Sequence, residues 1–375
     1  MISPKRFFEI LKSNGINFFT GVPDSLLKDF CAYVTDNVSE KNHIINSNEG
    51  AAIALASGHY IATGKPGLVY MQNSGLGNAI NPLLSLADSE VYSIPILLVI
   101  GWRGEPGKKD EPQHIKQGKV MLDLLQAMNI SYEIINSSTG NTEQIIRKAF
   151  STMTELSCPY ALIISEGTFE EYKLVKDMQS DYQFNREEAI KLILDDLSNN
   201  EIIVSTTGKT SREVFEYRKK NYQGHQNDFL TVGSMGHCSQ IALGIALEKN
   251  GKQVYVLDGD GAVIMQMGSL AILGSEAPEN FRHILLNNGA HDSVGGQPTA
   301  GFKTDFSAIA NACGYNFSIR AETEKEIKDG LSKMKEIPGP VFLEIRVNKG
   351  ARKDLGRPTS TPVENKLALM DNLLK

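Results

Sequence analysis

The sequence predicts an α/β protein built from two doubly wound parallel sheets. Strand-like and helical segments alternate in two runs along the 375 residues, and such alternation favours parallel sheets with helices on both faces. A polar segment between the runs indicates a connection between domains. We therefore expect a first domain over 1–170, a connecting segment over 171–185, and a second domain over 186–375 with a C-terminal extension.

Short apolar stretches are the expected strands of each run. Most contain β-branched or aromatic side chains and are bounded by turn-forming or polar residues. In the first run they are 18–20, 44–45, 68–70, 96–100, 132–135 and 161–164. In the second run they are 202–204, 254–257, 284–286 and 341–345. The common layout of the two runs indicates two similar folds.

Composition argues against several classes of protein. Hydrophobic residues make up 41% and charged residues 22% of the chain, and the formal net charge is −6, so a general nucleic-acid surface is not expected. No apolar run approaches the roughly 18 residues of a transmembrane helix, and the N-terminus lacks a signal-peptide core. The expected location is the cytoplasm, without a membrane partner. Four widely spaced cysteines form no CxxC pair, which favours buried thiols over zinc or disulfides.

Two expected strand ends of the second domain carry oxygen groups suited to a magnesium ion. Gly259-Asp260-Gly261 follows one strand, and Asn288 follows the next, 28 positions after Asp260. Glycines let the backbone approach a ligand closely, and carboxylate and amide oxygens suit Mg²⁺ bound to a diphosphate. Asp-Gly alone is a common turn, but its pairing with an Asn at the next strand end is much more specific.

This pairing resembles the signature of the thiamine-diphosphate enzymes, a GDG followed at a distance by NN. The resemblance implies a pyrimidine-binding domain followed by a diphosphate-binding domain, without the middle domain of the larger family members. It implies that Mg²⁺ binds the side chains of Asp260 and Asn288 and the backbone carbonyl of Ala290. The implied cofactor-binding set also includes Gly259, Gly261 and Ala262.

The resemblance assigns two further elements to the cofactor. Glu49 opens a helix of small residues, where family members carry a glutamate that faces N1′ of the aminopyrimidine and shares a proton with it. A carboxylate favoured by the helix dipole is the alternative. In Gly233-Ser234-Met235, the implied roles are a carbonyl that accepts from the 4′-amino group and a side chain that separates the two rings. A glycine turn with a core methionine is the alternative there.

Four segments resemble the phosphonopyruvate decarboxylases in particular: 21–25, 103–107, 288–299 and 353–359. This resemblance implies the decarboxylation of 3-phosphonopyruvate to phosphonoacetaldehyde and CO₂ through an adduct at C2 of thiamine diphosphate, a step of phosphonate biosynthesis. Gln72-Asn73-Ser74 stands where pyruvate decarboxylases carry a His-His pair, so their proton relay is absent.

These segments and residues near them in the sequence supply candidates for catalysis and for binding the phosphonate. His291 is the first candidate for delivering a proton and His114 the second. Arg103 is the first candidate for the phosphonate, because a guanidinium makes bidentate contacts with such anions. The other substrate-binding candidates are Asp24, Ser25, Lys28 and Lys108. For each lysine, a solvated loop charge is an equal alternative.

The family resemblance also concerns partners. It implies at least a homodimer in which Glu49 and Asp260 of different chains serve one cofactor. Three alternatives stay open: a sulfopyruvate decarboxylase with the same cofactor and chemistry, an acetolactate synthase-like carboligase, and a non-catalytic subunit that binds cofactor. The intact set of Glu49, Asp260 and Asn288 argues against the third.

Overall fold

The computed structural model describes residues 1–176 and 180–375. The chain splits into two compact units, Met1–Asp177 with Val294–Gln297 and Met178–Ser293 with Pro298–Lys375. The predicted connecting segment 171–185 includes residues 177–179, which lie outside the described part. Each unit contains a six-stranded sheet in which every pairing is parallel. The predicted fold class is confirmed.

In the described part of the first unit, one sheet is surrounded by helices. Its strands are β1 (Phe19–Gly21), β2 (His43–Ile45), β3 (Gly67–Gln72), β4 (Ile96–Gly101), β5 (Ser131–Ile135) and β6 (Tyr160–Ile164). Its helices are α1 (Pro4–Ser13), α2 (Lys28–Asn37), α3 (Glu49–Thr63), α4 (Leu76–Pro82), α5 (Pro112–Ala127) and α6 (Thr142–Leu156). A 3₁₀ turn at Asn73–Gly75 precedes α4, and a π-helical turn at Leu83–Ala87 follows it.

The second unit repeats this plan with additional helices. Its strands are β7 (Ile202–Ser205), β8 (Asp228–Leu230), β9 (Val254–Gly259), β10 (Phe281–Asn287), β11 (Phe317–Ala321) and β12 (Val341–Arg346). Its helices are α7 (Arg186–Asp196), α8 (Lys209–Lys220), α9 (Cys238–Glu248), α10 (Asp260–Met265), α11 (Ser269–Glu276), α12 (Phe306–Ala312), α13 (Glu324–Glu336) and α14 (Pro362–Leu373). A 3₁₀ turn at Gly301–Lys303 lies between β10 and α12.

The two sheets share one topology. The first has the order β2-β1-β3-β4-β6-β5, and the second, read from its β8 edge, has the order β8-β7-β9-β10-β12-β11. In each sheet the chain steps to one side after the first strand and to the other side afterwards. Such a reversal leaves a crevice at the carboxyl ends of neighbouring strands, where ligands bind in open α/β sheets.

Helices cover both faces of each sheet, which explains why the central strands are continuous apolar runs. Along β4, Leu97 and Val99 belong to one apolar cluster, while Leu98 and Ile100 belong to a second cluster on the opposite face. The second unit likewise has two clusters. The central strands β4 and β10 are buried along their full length, so their polar ends are held in place.

Two strands were not predicted from the sequence, and both are edges of the second sheet. The short strand β8 begins with Asp228, which pairs with Arg218 at 3.1 Å. The strand β11 is mostly half-buried. An edge strand has one neighbour and part of its length faces solvent or covering loops, so it does not need a continuous apolar run.

The C-terminal extension covers one of these edges. Asn365 of α14 accepts from the backbone N–H of Leu230 at 3.0 Å and donates to the backbone carbonyl of Asp228 at 2.8 Å. The preceding segment is tied to α7 and α8 through Arg352, which pairs with Glu187 at 3.2 Å and also with a glutamate of α8. Among the described residues, each helix is too short or too polar to cross a lipid bilayer.

Candidate active site

In the second unit, Asp260 lies at the carboxyl edge of the sheet. It follows β9 directly, and the register pairs Leu286 of β10 with Gly259, so the two strand ends are level. The carboxyl group is 2% exposed and accepts a hydrogen bond from Thr299. Burial raises its pKa from 3.8 to about 6, while hydrogen bonds from Thr299 and from backbone N–H groups lower it. These partners are neutral, so no cation of the described residues compensates the charge.

The neighbouring strand end is shaped by two asparagines with different tasks. Asn287 is fully buried and braces the loop: its amide donates to the carbonyl of Gly301 at 3.0 Å and to Glu344 at 2.8 Å. Asn288 accepts from the backbone N–H of Ala290 at 3.1 Å, and within the described residues this leaves one lone pair of its oxygen without a protein donor. Gly289, between Asn288 and Ala290, has φ +64°, a conformation that favours glycine.

The chain beyond this turn folds back over Asp260. Ala290 forms an antiparallel bridge with Pro298, and the backbone N–H of Thr299 donates to the carbonyl of Gly289 at 2.9 Å. The Thr299 hydroxyl accepts from the N–H of Gly301 at 3.0 Å. A Cβ at Gly301 would come within 2.6 Å of Asp260 and Asn287 oxygens. The loop therefore closes tightly around the oxygen groups.

His291 and Met235 both lie close to Gly261, in the turn that carries Asp260. A Cβ at Gly261 would lie 3.2 Å from the imidazole of His291 and 3.3 Å from the methyl group of Met235, so glycine lets both side chains reach the turn. Burial lowers the pKa of His291 from 6.5 to about 4. The imidazole is neutral at pH 7.

The loop that carries Met235 is itself unusual. Ser234 is exposed and has φ +51°, and Gly236 has φ +85°. A Cβ at Gly236 would lie 2.9 Å from the carbonyl of Ala262, so this loop lies directly against α10. Gly233 is half-buried in the same loop. Strained backbone at a non-glycine residue is concentrated at functional sites in proteins.

Asp292, next to His291, is held by cations rather than free. It pairs with Arg186 at 2.9 Å and with Lys209 at 3.4 Å, and Arg186 also makes a bidentate pair with buried Glu213 at 2.8 Å. The two cations lower the pKa of Asp292 against the opposing effect of burial. This network anchors the loop that carries His291.

Glu49 of the first unit lies at the start of α3 in a buried, nearly uncharged setting. Asn48 caps the helix by accepting from Ala51 N–H. The Glu49 carboxyl is 5% exposed, and Asn78 donates to it at 2.8 Å. Burial raises the pKa of Glu49, and the Asn78 hydrogen bond opposes this. A Cβ at Gly75 would overlap the carboxyl group, so glycine is needed there.

The structure brings four of the predicted residues together at the carboxyl ends of β1 and β4. Arg103 donates to the hydroxyl of Ser25 at 2.7 Å. Its charge lowers the pKa of Asp24, which burial nevertheless raises to about 6. Burial and the same guanidinium lower the pKa of His114 to about 4.

The two predicted lysines each form an ion pair with a nearby carboxylate. Lys28 pairs with Asp29 at 2.8 Å, and Lys108 pairs with Glu105 at 2.8 Å. Both lysine side chains are well exposed.

Three polar partners in these sites were not predicted from the sequence. Asn78 and Thr299 bond the two key carboxylates, and Asp110 pairs with Arg103. Thr299 stands at the end of one segment that supported the family resemblance. Asn78 and Asp110 carry no sequence signal, since asparagine and aspartate are common in any turn.

The oxygen groups of the second unit fit a metal-bound diphosphate. No cluster of three His, Cys, Asp or Glu side chains within the described residues is arranged to hold a metal. One carboxylate, one amide and one backbone carbonyl form a ligand set of the kind that suits a hard cation with further positions for water or phosphate oxygens. Uncompensated Asp260 requires a positive charge for stability when ionised.

Two domain models match the chain. The N-terminal TPP binding domain of thiamine pyrophosphate enzymes matches residues 4–131, and the C-terminal TPP binding domain matches residues 206–345. Over 365 residues, the chain is 33% identical to a phosphonopyruvate decarboxylase of Streptomyces viridochromogenes, covering 93% of this chain and 89% of the relative. The chain belongs to the phosphonopyruvate decarboxylase family of thiamine pyrophosphate enzymes. The family resemblance and thiamine diphosphate as the cofactor are confirmed.

Two further proteins similar to this chain are named for different substrates. A phosphonopyruvate decarboxylase of Streptomyces hygroscopicus is 32% identical over 383 residues, covering 97% of this chain and 92% of the relative. A sulfopyruvate decarboxylase of Methanosarcina acetivorans is 27% identical over 376 residues, covering 93% and 92%. Each similarity spans both sheets.

Proposed function

We propose that the chain decarboxylates 3-phosphonopyruvate to phosphonoacetaldehyde and CO₂ as a step of phosphonate biosynthesis. The observation that carries this proposal is the similarity to two phosphonopyruvate decarboxylases over nearly the whole chain, above 30% identity in both cases. The buried carboxyl groups at both sheets' carboxyl ends supply the acid–base and ligand groups that such an enzyme needs.

Asp260, Asn288 and Ala290 are the proposed ligands of Mg²⁺. Their oxygens come from adjacent strand ends, and Asp260 lacks a compensating cation among its partners. Gly259, Gly261 and Ala262 let the turn approach the diphosphate closely, while Gly233, Ser234 and Met235 form the neighbouring wall. When bound, thiamine diphosphate would supply the electron sink for the electron pair that the departing CO₂ leaves behind.

Glu49 is the proposed acid–base group for N1′ of the cofactor. Burial raises the pKa of this carboxyl group and so favours the protonated form that can share a proton with N1′. Asn78 donates to one carboxyl oxygen and fixes its orientation. Gly75 leaves the space that the carboxyl group occupies.

His291 is the proposed source of a proton for the product, with His114 the second candidate. Both imidazoles are neutral at pH 7, because burial lowers their pKa to about 4. A neutral ring first has to take up a proton, and an anion bound nearby would raise its pKa and so favour the imidazolium that delivers the proton. Arg103, Ser25 and Asp24 are the proposed contacts of the phosphonate.

Decarboxylation assays with phosphonopyruvate and with sulfopyruvate test the proposal, each with and without thiamine diphosphate and Mg²⁺. We expect turnover that needs both additions and a higher kcat/KM for phosphonopyruvate. A clear preference for sulfopyruvate would favour the second candidate function, which the Methanosarcina relative supports. Products with a new C–C bond would favour a carboligase.

A homo-oligomer with active sites shared between subunits is part of the proposal. It rests on the family resemblance, in which Glu49 and Asp260 of different chains serve one cofactor. Mixing inactive Glu49→Gln and Asp260→Ala proteins under exchange conditions should then restore up to about a quarter of the parent activity, because one mixed site regains both residues. No recovery, despite mixed oligomers by native mass spectrometry, would refute shared sites.

A further inference from the structure

Three neighbouring strands of the first sheet end around Arg103. Ser25 follows β1, Asn73 follows β3, and Arg103 follows β4, and these strands are adjacent in the order β1-β3-β4. Their carboxyl ends form the switch point of this sheet. Loop residues at such a point are positioned by the rigid sheet beneath them.

The backbone of Arg103 is clamped by one side chain. Asn73, which is 2% exposed, donates to the carbonyl of Arg103 at 2.8 Å and accepts from its N–H at 3.2 Å. These two bonds use both ends of one amide, as in a pair of β-strands. The segment after β4 therefore cannot shift along β3 without breaking both bonds.

The guanidinium of Arg103 is held independently of its backbone. Its Nε donates to Asp110 at 2.8 Å, its Nη2 donates to the other oxygen of Asp110, and its Nη1 donates to Ser25 at 2.7 Å. Asp110 also accepts from the backbone N–H groups of Gly104 and Glu111, each at 2.7 Å. Four donors thus saturate this carboxylate, which holds the guanidinium of Arg103 in one orientation.

This arrangement leaves a set of oriented donors. A guanidinium has five N–H groups, and the bonds described use three, so each terminal nitrogen keeps one N–H within the described part of the chain. The Ser25 hydroxyl accepts from Nη1, and its own proton is available for donation. The Arg103 side chain is only 18% exposed, so an anion that binds these donors displaces little water from them.

The turn that carries Asn73 also contacts Glu49. The 3₁₀ turn Asn73–Gly75 is three residues long; its first side chain bonds Arg103, and its last residue lies against the Glu49 carboxyl. A rigid turn of this length sets the distance between the two groups. One end of a substrate bound at Arg103 is thereby oriented relative to Glu49.

We propose that Asp110 and Asn73 are positioning residues that fix Arg103 and Ser25 as the recognition site for the phosphonate group of the substrate. This inference rests on the proposed function. Since Asp110 neutralises much of the charge of Arg103, recognition depends on directed donors more than on net charge. Three donors in fixed directions suit the three oxygens of a phosphonate, each of which accepts strongly.

The test measures substrate binding apart from turnover. The holoenzyme is titrated calorimetrically with 3-phosphonopropionate, which has the phosphonate and the carboxylate but no ketone, and steady-state rates are measured with phosphonopyruvate. We expect Asp110→Asn and Asn73→Ala each to raise the Kd of the analogue and the KM by about 10- to 100-fold, with kcat nearly unchanged. Glu143→Gln, which removes the carboxylate of an exposed pair with Arg147, is the matched control.

Each outcome bears on the inference. Unchanged Kd and KM in folded Asp110→Asn and Asn73→Ala proteins would overturn it, as would a loss confined to kcat. Unchanged affinity for thiamine diphosphate in the variants shows that they are folded. If the parent protein binds the analogue but does not decarboxylate phosphonopyruvate, the proposed function fails while the recognition site stands. If the parent does not bind the analogue, the recognition site is wrong.

Discussion

Asp24 lies in a setting that favours its neutral form, so replacing it with asparagine should remove a destabilisation that grows with pH. The side chain is fully buried, and one carboxyl oxygen accepts from the N–H of Leu26 at 2.8 Å. The other oxygen has no hydrogen-bonding partner within the described residues. Burial therefore raises the pKa of Asp24 from 3.8 to about 6, although Leu26 and Arg103 act in the opposite direction.

The size of the effect follows from this pKa. One pKa unit corresponds to about 1.4 kcal/mol, so keeping Asp24 ionised in the folded state costs about 3 kcal/mol above pH 6. Because the pKa in the folded state lies above that in the unfolded state, the cost is absent well below pH 3.8, grows as pH rises from 3.8 to about 6, and is constant above that. Between pH 4.5 and pH 8 the free energy of unfolding should lose about 2 kcal/mol through this group.

The Asp24→Asn variant should lose that pH dependence. Burying the amide has its own cost, but this cost does not change with pH, so the measured quantity is the difference between variant and parent at the two pH values. Urea-induced unfolding at pH 4.5 and pH 8 should show an advantage of the variant that is about 2 kcal/mol larger at pH 8. Asp123→Asn, at an exposed position of α5, is the control. A stability difference that is the same at both pH values would refute the argument.

Two other substitutions probe the cofactor site. Gly75→Ala places a methyl group on the Glu49 carboxyl and should lower kcat by about 100-fold or more with the fold retained, whereas Gly77→Ala, which meets no atom within 4 Å, should not; equal activities measured in the two variants would show that the contact is unimportant. Asp260→Ala should abolish the Mg²⁺-dependent uptake of thiamine diphosphate in calorimetry, because the proposed metal loses its carboxylate ligand. Parent-like affinity in that variant would rule out the metal assignment.

The sequence was sufficient for the parts of the fold that depend on continuous apolar strands. The buried central strands β4, β9 and β10 need apolar side chains on both faces, and this pattern is visible without a structure. The polar groups at strand ends were visible too: Asp260 and Asn288 each follow such a strand. Adjacent parallel strands bring their carboxyl ends together, which is why these residues predicted one site.

Other features of the candidate site depend on pairs that are far apart in the chain. Asn78 meets Glu49 across 29 positions, and Asn73 meets Arg103 across 30. No local pattern encodes such a pair, since a single asparagine serves equally well in a solvent-exposed turn. Likewise, the edge strands β8 and β11 have no apolar run, because pairing with a neighbour and cover from other segments stabilise them.

The order of residue types along the chain was enough to establish two parallel α/β sheets, the thiamine-dependent family and the turns that carry its cofactor. Folding in three dimensions added the protonation states and the partners. Asp24, Glu49 and Asp260 have raised pKa values because they are enclosed by segments remote in sequence. Burial is a sum over all those neighbours, and it exists only once the chain has folded.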